Sequence, residues 1–271
     1  MKKKRTSFGT ILRWIAMAIC ILVIICSAVY LIRLALESRQ VRLANQSASD
    51  QFVREDDSNL SNHVTIGQGD GEEEEEATVP LISVDFEALQ AASPYAVAWL
   101  QVSGVSAIDY PVVQYTDDNH FLDHSWDGQD SRYGAIFLEA QNASDFSDAY
   151  TLIYGHNMKD GSMFGGLKKY AEASFYEENG GMITLCLPGE VRSYQIFSVR
   201  YVSPDDAETY TLWNGADDSF EAALQTMKRE SVYDTGVPVS AEDRILTLST
   251  CAGDNRLVVH AKLISTVPTA G

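Results

Sequence analysis

Nineteen consecutive uncharged residues near the amino terminus constrain this chain more than any other feature. The run lies between Arg13 and Arg33 and reads WIAMAICILVIICSAVYLI. As an α-helix it would be roughly 28 Å long, which matches the hydrocarbon thickness of a bilayer. A cleaved signal peptide is the alternative, but its apolar core is usually only about 7–15 residues long and ends at a site of small residues. The sequence therefore predicts an uncleaved transmembrane anchor over residues 14–34.

The charge of the chain is divided between its two ends. Residues 1–42 contain eight Lys or Arg and one acid, a net charge of +7, whereas the other 229 residues contain 12 basic and 37 acidic side chains, a net charge of −25. Five of the eight basic residues precede the apolar run, so the positive-inside rule places residues 1–13 in the cytoplasm and the rest of the chain outside. The excess of acid argues against nucleic acid as a partner, because phosphate binding needs a concentrated basic face.

A polar stretch separates the apolar run from the rest of the chain. Residues 35–79 have no clear core-facing stripe and include five consecutive glutamates, which repel one another. This composition predicts a solvated tether rather than a folded element, with an acidic interaction tail as the alternative. We expect the folded domain to begin near Pro80 and to cover residues 80–271.

The domain is rich in short β-branched and aromatic runs separated by Gly, Asp, Asn and Pro. Seven or eight such strands in fewer than 200 residues are typical of a closed barrel or a sandwich. The predicted strands are IDYPVVQ, YGAIFLEA, DAYTLIYGH, MITLCLP, RSYQIFSVRYV, RILTLSTC and RLVVHAKLIST.

Helices are predicted at two places in the domain. Ser83 is a plausible N-cap for a first helix, and Pro94 is expected to start a second short helical turn. Asp217–Ser231 has Phe220 and Leu224 at helical spacing, acids at its start and basic residues near its end, which complement a helix dipole. A helix is therefore predicted inside the long connection before the TLSTC strand.

Three residues with complementary chemistry lie at strand ends. Cys251 ends the RILTLSTC run, His156 follows the DAYTLIY run, and Arg256 begins the next strand. A thiol with a nearby base is a useful nucleophile, an imidazole can exchange protons near neutral pH, and a guanidinium can stabilise an oxyanion. Taken singly, each could also be structural: a buried thiol, a loop histidine, or an arginine paired with an acid.

The remaining histidines and cysteines fit structural roles better. His260 lies inside a strand, where packing is expected. His120 and His124 are four residues apart among several acids, which suits a divalent metal on a helix, but no third ligand is evident and a solvated loop is the preferred interpretation. Cys186 is expected to be a small core residue.

The segment TLSTC, followed closely by RLVVHAKL and preceded by YGHNM, resembles the sortases, membrane-anchored cysteine transpeptidases of Gram-positive bacteria. The inserted helix and the NMKDGSMFGGL loop most resemble class B sortases. The resemblance implies a mainly β fold: a closed β-barrel of about eight strands, with N-terminal helices and a helix inserted before the Cys strand, behind a single transmembrane helix. It also implies the roles of the matching residues: Cys251 is the nucleophile, His156 is the general acid and base, and Arg256 stabilises the oxyanion. The resemblance further implies that Tyr154, Ser249 and Thr250 line the substrate groove.

The resemblance further implies the reaction and its partners. The thiol would cleave an LPxTG-like or NPxTN-like C-terminal sorting signal of a secreted protein after its Thr, and pass the acyl group to an amine of a peptidoglycan cross-bridge or a pilin lysine. No metal or organic cofactor is required. The protein would be a single-pass membrane protein with its catalytic domain outside the cell. The alternatives are a degenerate sortase that serves as a binding or scaffold module, and a cysteine peptidase that only hydrolyses.

Overall fold

The chain forms two compact units, Met1–Ala44 and Asn45–Gly271. Helix α1 (Phe8–Phe52) makes up the described part of the first unit, and its residues 45–52 belong to the second. Among the described residues, α1 alone is long and apolar enough to cross a membrane, so the predicted span is helical. The computed structural model describes residues 8–55, 62–66, 75–79 and 82–269.

Twelve strands and four further helices follow α1 in the described part of the chain. The strands are β1 (Val53–Glu55), β2 (Asn62–Ile66), β3 (Glu75–Val79), β4 (Ile82–Val84), β5 (Ala96–Val102), β6 (Asp109–Val113), β7 (Ile136–Leu138), β8 (Tyr150–Tyr154), β9 (Met182–Leu187), β10 (Glu190–Val202), β11 (Ile245–Ala252) and β12 (Asn255–Pro268). The helices are α2 (Phe86–Ala92), α3 (Ala173–Asn179), α4 (Ala207–Tyr210) and α5 (Asp218–Arg229). Short 3-10 helices cover His120–Leu122 and Phe164–Ala171.

Eight strands close into a barrel in the order β10, β12, β11, β8, β7, β6, β5, β9, with β9 pairing back to β10. The pairs β6–β7 and β8–β11 are parallel, and the other pairs are antiparallel. The mainly β, eight-stranded closed barrel predicted from the sequence is confirmed. All seven predicted strands are present, as β6 to β12.

The eighth strand, β5, replaces the helical turn expected after Pro94. Ala98, Trp99 and Leu100 are three consecutive residues without solvent exposure. A strand that is buried on both faces shows no alternation of polar and apolar residues, so its pattern is easily mistaken for a helix.

The first helix of the domain also begins two residues later than predicted. Ser83 lies in β4, and Asp85 is the N-cap of α2, with its carboxylate accepting a hydrogen bond of 3.0 Å from the Ala88 N–H. Asp and Ser are about equally good N-caps, so the propensity alone did not separate the two positions.

The second unit begins earlier in the chain than the expected start near Pro80. Ala48 and Phe52, at the end of α1, are buried against Leu89 and Trp99, and β1 pairs with β4. Two buried residues four apart make too sparse a stripe to be recognised in a polar stretch. The expected tether also contains a two-stranded antiparallel sheet of β2 and β3.

The inserted helix is confirmed as α5. The Asp217 carboxylate caps it by accepting from the N–H groups of Ser219 and Phe220, at 2.9 and 2.8 Å. Its apolar face is buried against the barrel strands β8, β10 and β11. The connection between β10 and β11 is therefore a packed wall and not a free loop.

Candidate active site

The parallel strands β8 and β11 end at the same rim of the barrel. Their register pairs Tyr154 with Ser249, and the chain then continues to His156 on one strand and to Cys251 on the other. Because parallel strands have their carboxyl ends at one edge, this pairing brings the imidazole and the thiol to the same mouth.

The hairpin of β11 and β12 adds the guanidinium. Cys251 and Arg256 are direct cross-strand partners, separated by a tight turn in which Gly253 has a φ of +67°. Side chains of directly opposed residues lie on the same face of a sheet, with Cβ atoms about 5 Å apart. The short connection after the cysteine therefore aligns the thiol with the guanidinium.

A backbone carbonyl orients the His156 ring. Nε2 lies 2.7 Å from the Leu122 oxygen, and since a carbonyl only accepts, Nε2 carries the proton. In the neutral ring, Nδ1 is then the basic nitrogen. Gly134 makes this approach possible, because a Cβ at that position would lie 2.9 Å from the His156 ring and 3.0 Å from the Leu122 oxygen.

All six residues predicted for the site line one pocket of about 210 Å³. Cys251 is exposed, and Tyr154, His156 and Arg256 are half-buried. Four further residues that the sequence reasoning did not select complete the lining: Asp118, Leu122, Phe137 and Gly155.

Ser249 and Thr250 are both buried, and their hydroxyls are engaged in the wall of the pocket. The Ser249 hydroxyl lies 2.9 Å from the Tyr210 hydroxyl, and the Thr250 hydroxyl donates to the Gly155 carbonyl at 2.6 Å. Burial raises the pKa of Tyr210, while the nearby Arg256 charge opposes that rise. The connection before β11 thus reaches the pocket through Tyr210.

A pair of carboxyl groups lies at another part of the wall, where Asp118 lines the pocket in front of the buried Glu139. The Tyr154 hydroxyl donates to Glu139 at 2.8 Å, and the Asp118 carboxylate accepts from the Ala140 N–H at 2.8 Å. Partial burial and a hydrogen bond to Glu139 raise the pKa of Asp118 to about 6. Burial and the same Glu139 raise the pKa of Tyr154 well above its ordinary value. This carboxyl pair on one side of the pocket therefore takes up a proton at a higher pH than an isolated carboxylate does.

The residues at the pocket that were not predicted have only weak signatures in the sequence. Asp118 and Leu122 belong to DDNHFLDH, which reads as a solvated loop, and Leu122 acts through a backbone carbonyl that carries no sequence signature. Tyr210 lies in the four-residue helix α4, which is too short to show periodicity.

The residues assigned to structural roles lie elsewhere. Cys186 is buried, and burial raises its pKa to about 12. His260 is completely buried in the barrel. The rings of His120 and His124 stack with centroids 4.2 Å apart, and within the described ranges no cluster of three or more His, Cys, Asp or Glu side chains is arranged as a metal site.

The arrangement suits covalent acyl chemistry. An exposed thiol can attack a carbonyl, an imidazole with an available basic nitrogen can exchange a proton with the thiol and with a leaving amine, and a fixed guanidinium can stabilise the charge on the tetrahedral oxygen.

Comparison with known proteins identifies the family. The sortase domain model matches residues 100–264, which is more than half of the chain. A sortase B of Listeria monocytogenes is 37% identical over 184 residues, covering 65% of this chain and 73% of the relative. Two solved structures are similar: a sortase B from Bacillus anthracis (TM-score 0.67, 28% identity, 85% of this chain and 99% of that chain) and a Staphylococcus aureus sortase B–substrate complex (TM-score 0.62, 31% identity, 66% and 84%). The chain therefore belongs to the sortase family and is a class B sortase.

Proposed function

We propose that this protein is a membrane-anchored transpeptidase that cleaves a C-terminal sorting signal after its Thr and transfers the acyl group to an amine. One observation carries the proposal. The exposed thiol of Cys251 lies in the same pocket as His156 and directly opposite Arg256, across the hairpin of β11 and β12.

The first half of the reaction forms a thioester. His156 Nδ1 takes the proton of the Cys251 thiol, and the sulfur attacks the Thr carbonyl carbon. The Arg256 guanidinium stabilises the oxyanion that forms. As the C–N bond breaks, the imidazolium returns the proton to the departing amine, so that the peptide remains attached through its Thr as a thioester.

The second half regenerates the enzyme. An acceptor amine gives up a proton to His156 and attacks the thioester carbonyl carbon, and the C–S bond breaks. The new amide carries the sorted protein, and the released thiolate recovers its proton from the imidazolium. Water in place of the amine would give hydrolysis by the same route, so exclusion of water from the pocket decides the product.

The pocket provides a groove for the signal peptide. Tyr154, Ser249 and Thr250 line the pocket, and α5 packs behind Tyr210, which contacts Ser249. The substrate complex of the S. aureus sortase B supports binding of a substrate by this fold. We propose an LPxTG-like or NPxTN-like pentapeptide, with a peptidoglycan cross-bridge or a pilin lysine as the acceptor.

The apolar helix gives the protein its proposed location. We assign residues 14–34 to the membrane, residues 1–13 to the cytoplasm, and residues 35–79 with the catalytic domain 80–271 to the outside of the cell. The length and apolar composition of the helix support the membrane location, and the basic residues before it support this orientation. The sorting enzyme would then meet its secreted substrates as they emerge at the membrane.

Full-length protein in mild detergent, incubated with fluorescent sorting peptides with and without an amine acceptor, tests the proposal. We expect amine-dependent product with the wild type and none with Cys251→Ala. For His156→Ala and Arg256→Ala we expect rates lower by about a hundredfold or more. Cleavage that never yields an amine-linked product would indicate a hydrolase. Absence of cleavage with every peptide would favour a binding module.

A further inference from the structure

One backbone and one side-chain hydrogen bond continue the contact between the two segments beyond the last paired residues of β8 and β11. The ladder ends at Tyr154 and Ser249, after which the Gly155 N–H donates to the Ser249 carbonyl at 3.2 Å. The Asn157 side-chain amide then donates to the Cys251 carbonyl at 2.6 Å. This last contact connects the residue after His156 to the backbone of the cysteine itself.

The donor and the acceptor of this hydrogen bond cannot be exchanged. A carbonyl oxygen accepts and never donates, so the amide nitrogen of Asn157 must be the donor. An aspartate of the same shape has no proton to give at neutral pH and would place a negative charge against the carbonyl oxygen. The contact therefore requires an amide at position 157 and not only a side chain of that size.

The loop that carries Asn157 is firmly closed. Asn157 forms an isolated β-bridge with Met163, and the Phe164 N–H donates to the His156 carbonyl at 2.9 Å. The Met163 N–H donates to the Tyr110 hydroxyl at 3.1 Å. These contacts hold the backbone on both sides of the loop, and the exposed Asn157 side chain reaches from it to the end of β11.

The position of Cys251 depends on such support. The residue is exposed and lies next to the hairpin turn, where the strand has its β12 partner on one side and, in the part of the chain that the structure describes, no strand on the other. The amide of Asn157 takes the place of the missing strand. Loss of this hydrogen bond would let the end of β11 shift relative to His156, and a shift on the order of 1 Å is enough to lower catalysis about a hundredfold.

We propose that Asn157 is a positioning residue that holds the Cys251 backbone so that the thiol stays within reach of His156. The inference rests on the proposed function, because it concerns the same thiol and imidazole. Asn157 touches no reacting atom in this account and acts through the carbonyl of Cys251.

Three substitutions test it in the full-length protein in detergent. Asn157→Asp keeps the shape and loses the donor, Asn157→Ala loses both, and Asn157→Gln keeps the donor on a longer side chain. Asn214→Asp, at an exposed position outside the pocket, is the control for an added charge. For each variant, kcat and KM with a sorting peptide and an amine are measured, together with the melting temperature and the pH dependence of Cys251 alkylation by iodoacetamide.

We expect kcat to fall about 10- to 100-fold in Asn157→Asp and Asn157→Ala, with KM within about twofold of wild type and partial recovery in Asn157→Gln. The pH midpoint of alkylation should rise in both deficient variants, and further in Asn157→Asp, because a nearby carboxylate disfavours the thiolate. Asn214→Asp should match the wild type in every measurement.

Two results would overturn the inference. In the first, the wild type is active, and the Asn157→Ala and Asn157→Asp variants have kcat values within twofold of it and the same alkylation profile. The other is a lowered melting temperature with a raised KM and an unchanged alkylation profile, which indicates a purely structural role. A wild type without turnover would instead contradict the proposed function, and the alkylation profiles alone would then decide the role of Asn157.

Discussion

The buried histidine of the barrel gives the fold a measurable dependence on pH. His260 has no solvent exposure; its Nδ1 lies 2.9 Å from the Thr247 hydroxyl, and its Nε2 has no hydrogen-bond partner in the described part of the chain. Ser198 is its cross-strand partner on β10, and the Phe197 ring lies 6.0 Å away. Burial, together with the charge of the nearby Arg200, lowers the pKa of His260 to about 3.

The sign and size of the effect follow from this pKa. A histidine in the unfolded chain takes up a proton near pH 6.5, but His260 in the folded protein stays neutral down to about pH 3. Its contribution to stability is therefore complete above pH 6.5 and is lost as the pH falls from 6.5 towards 3. Between pH 7 and pH 5 the loss amounts to about 2 kcal/mol, at about 1.4 kcal/mol per unit of pKa difference.

Urea unfolding of the full-length protein in non-ionic detergent, followed by tryptophan fluorescence at pH 7 and pH 5, measures this loss. His260→Gln is the matched variant, because Gln does not titrate and can still accept a hydrogen bond from Thr247. We expect the wild type to lose about 2 kcal/mol more than the variant on acidification. Equal losses in the two proteins would show that His260 does not cause this loss of stability, since every other titrating group is common to both.

Two further predictions concern the support of the pocket. Gly134→Ala introduces a Cβ 2.9 Å from the His156 ring at a φ of +59°, whereas Gly236→Ala has a similar φ of +74° and open space around its Cβ. For Gly236→Ala, we therefore expect a loss of about 1 kcal/mol in the free energy of unfolding and normal turnover. For Gly134→Ala, thermal unfolding should show a larger loss, and turnover should be at least about tenfold slower. Equal behaviour of the two variants would contradict the role assigned to Gly134. Asp118→Asn removes a charge beside Glu139 while keeping the hydrogen bonds. The pKa of Asp118 is raised to about 6, so above that pH the two carboxylates are both charged and repel each other. The melting temperature of this variant should exceed that of the wild type by more at pH 8 than at pH 5, because the penalty for ionising Asp118 develops between its ordinary pKa of 3.8 and about 6. A gain of the same size at both pH values would show that the pair does not share a proton.

Local patterns account for what the sequence predicted well. The strands β6 to β12 have β-branched and aromatic runs bounded by turn residues, and the acids and bases of α5 lie at the correct ends of the helix. Cys251, His156 and Arg256 were selected because reactive side chains at strand ends are visible in the sequence. The structure brings all three to one pocket, and their catalytic roles stay a prediction.

The features that the sequence did not predict depend on contacts between distant segments. The Leu122 carbonyl reaches His156 from 34 residues away, and the Asn157 amide reaches the Cys251 carbonyl from 94 residues away. Backbone acceptors have no residue identity, so no pattern of side chains indicates them. The burial of Phe52 likewise depends on packing against Trp126 and other residues that follow much later in the chain.

Trapping the acyl-enzyme shows whether Cys251 forms a thioester with the peptide. Wild-type protein is mixed with a sorting peptide without acceptor, quenched in acid, and measured by intact mass and by digestion. We expect a mass increase equal to the peptide up to and including its Thr, located on Cys251, released by hydroxylamine and absent in Cys251→Ala. Cleavage of the peptide without such an adduct on the wild type, or the same adduct on Cys251→Ala, would show that Cys251 is not the nucleophile.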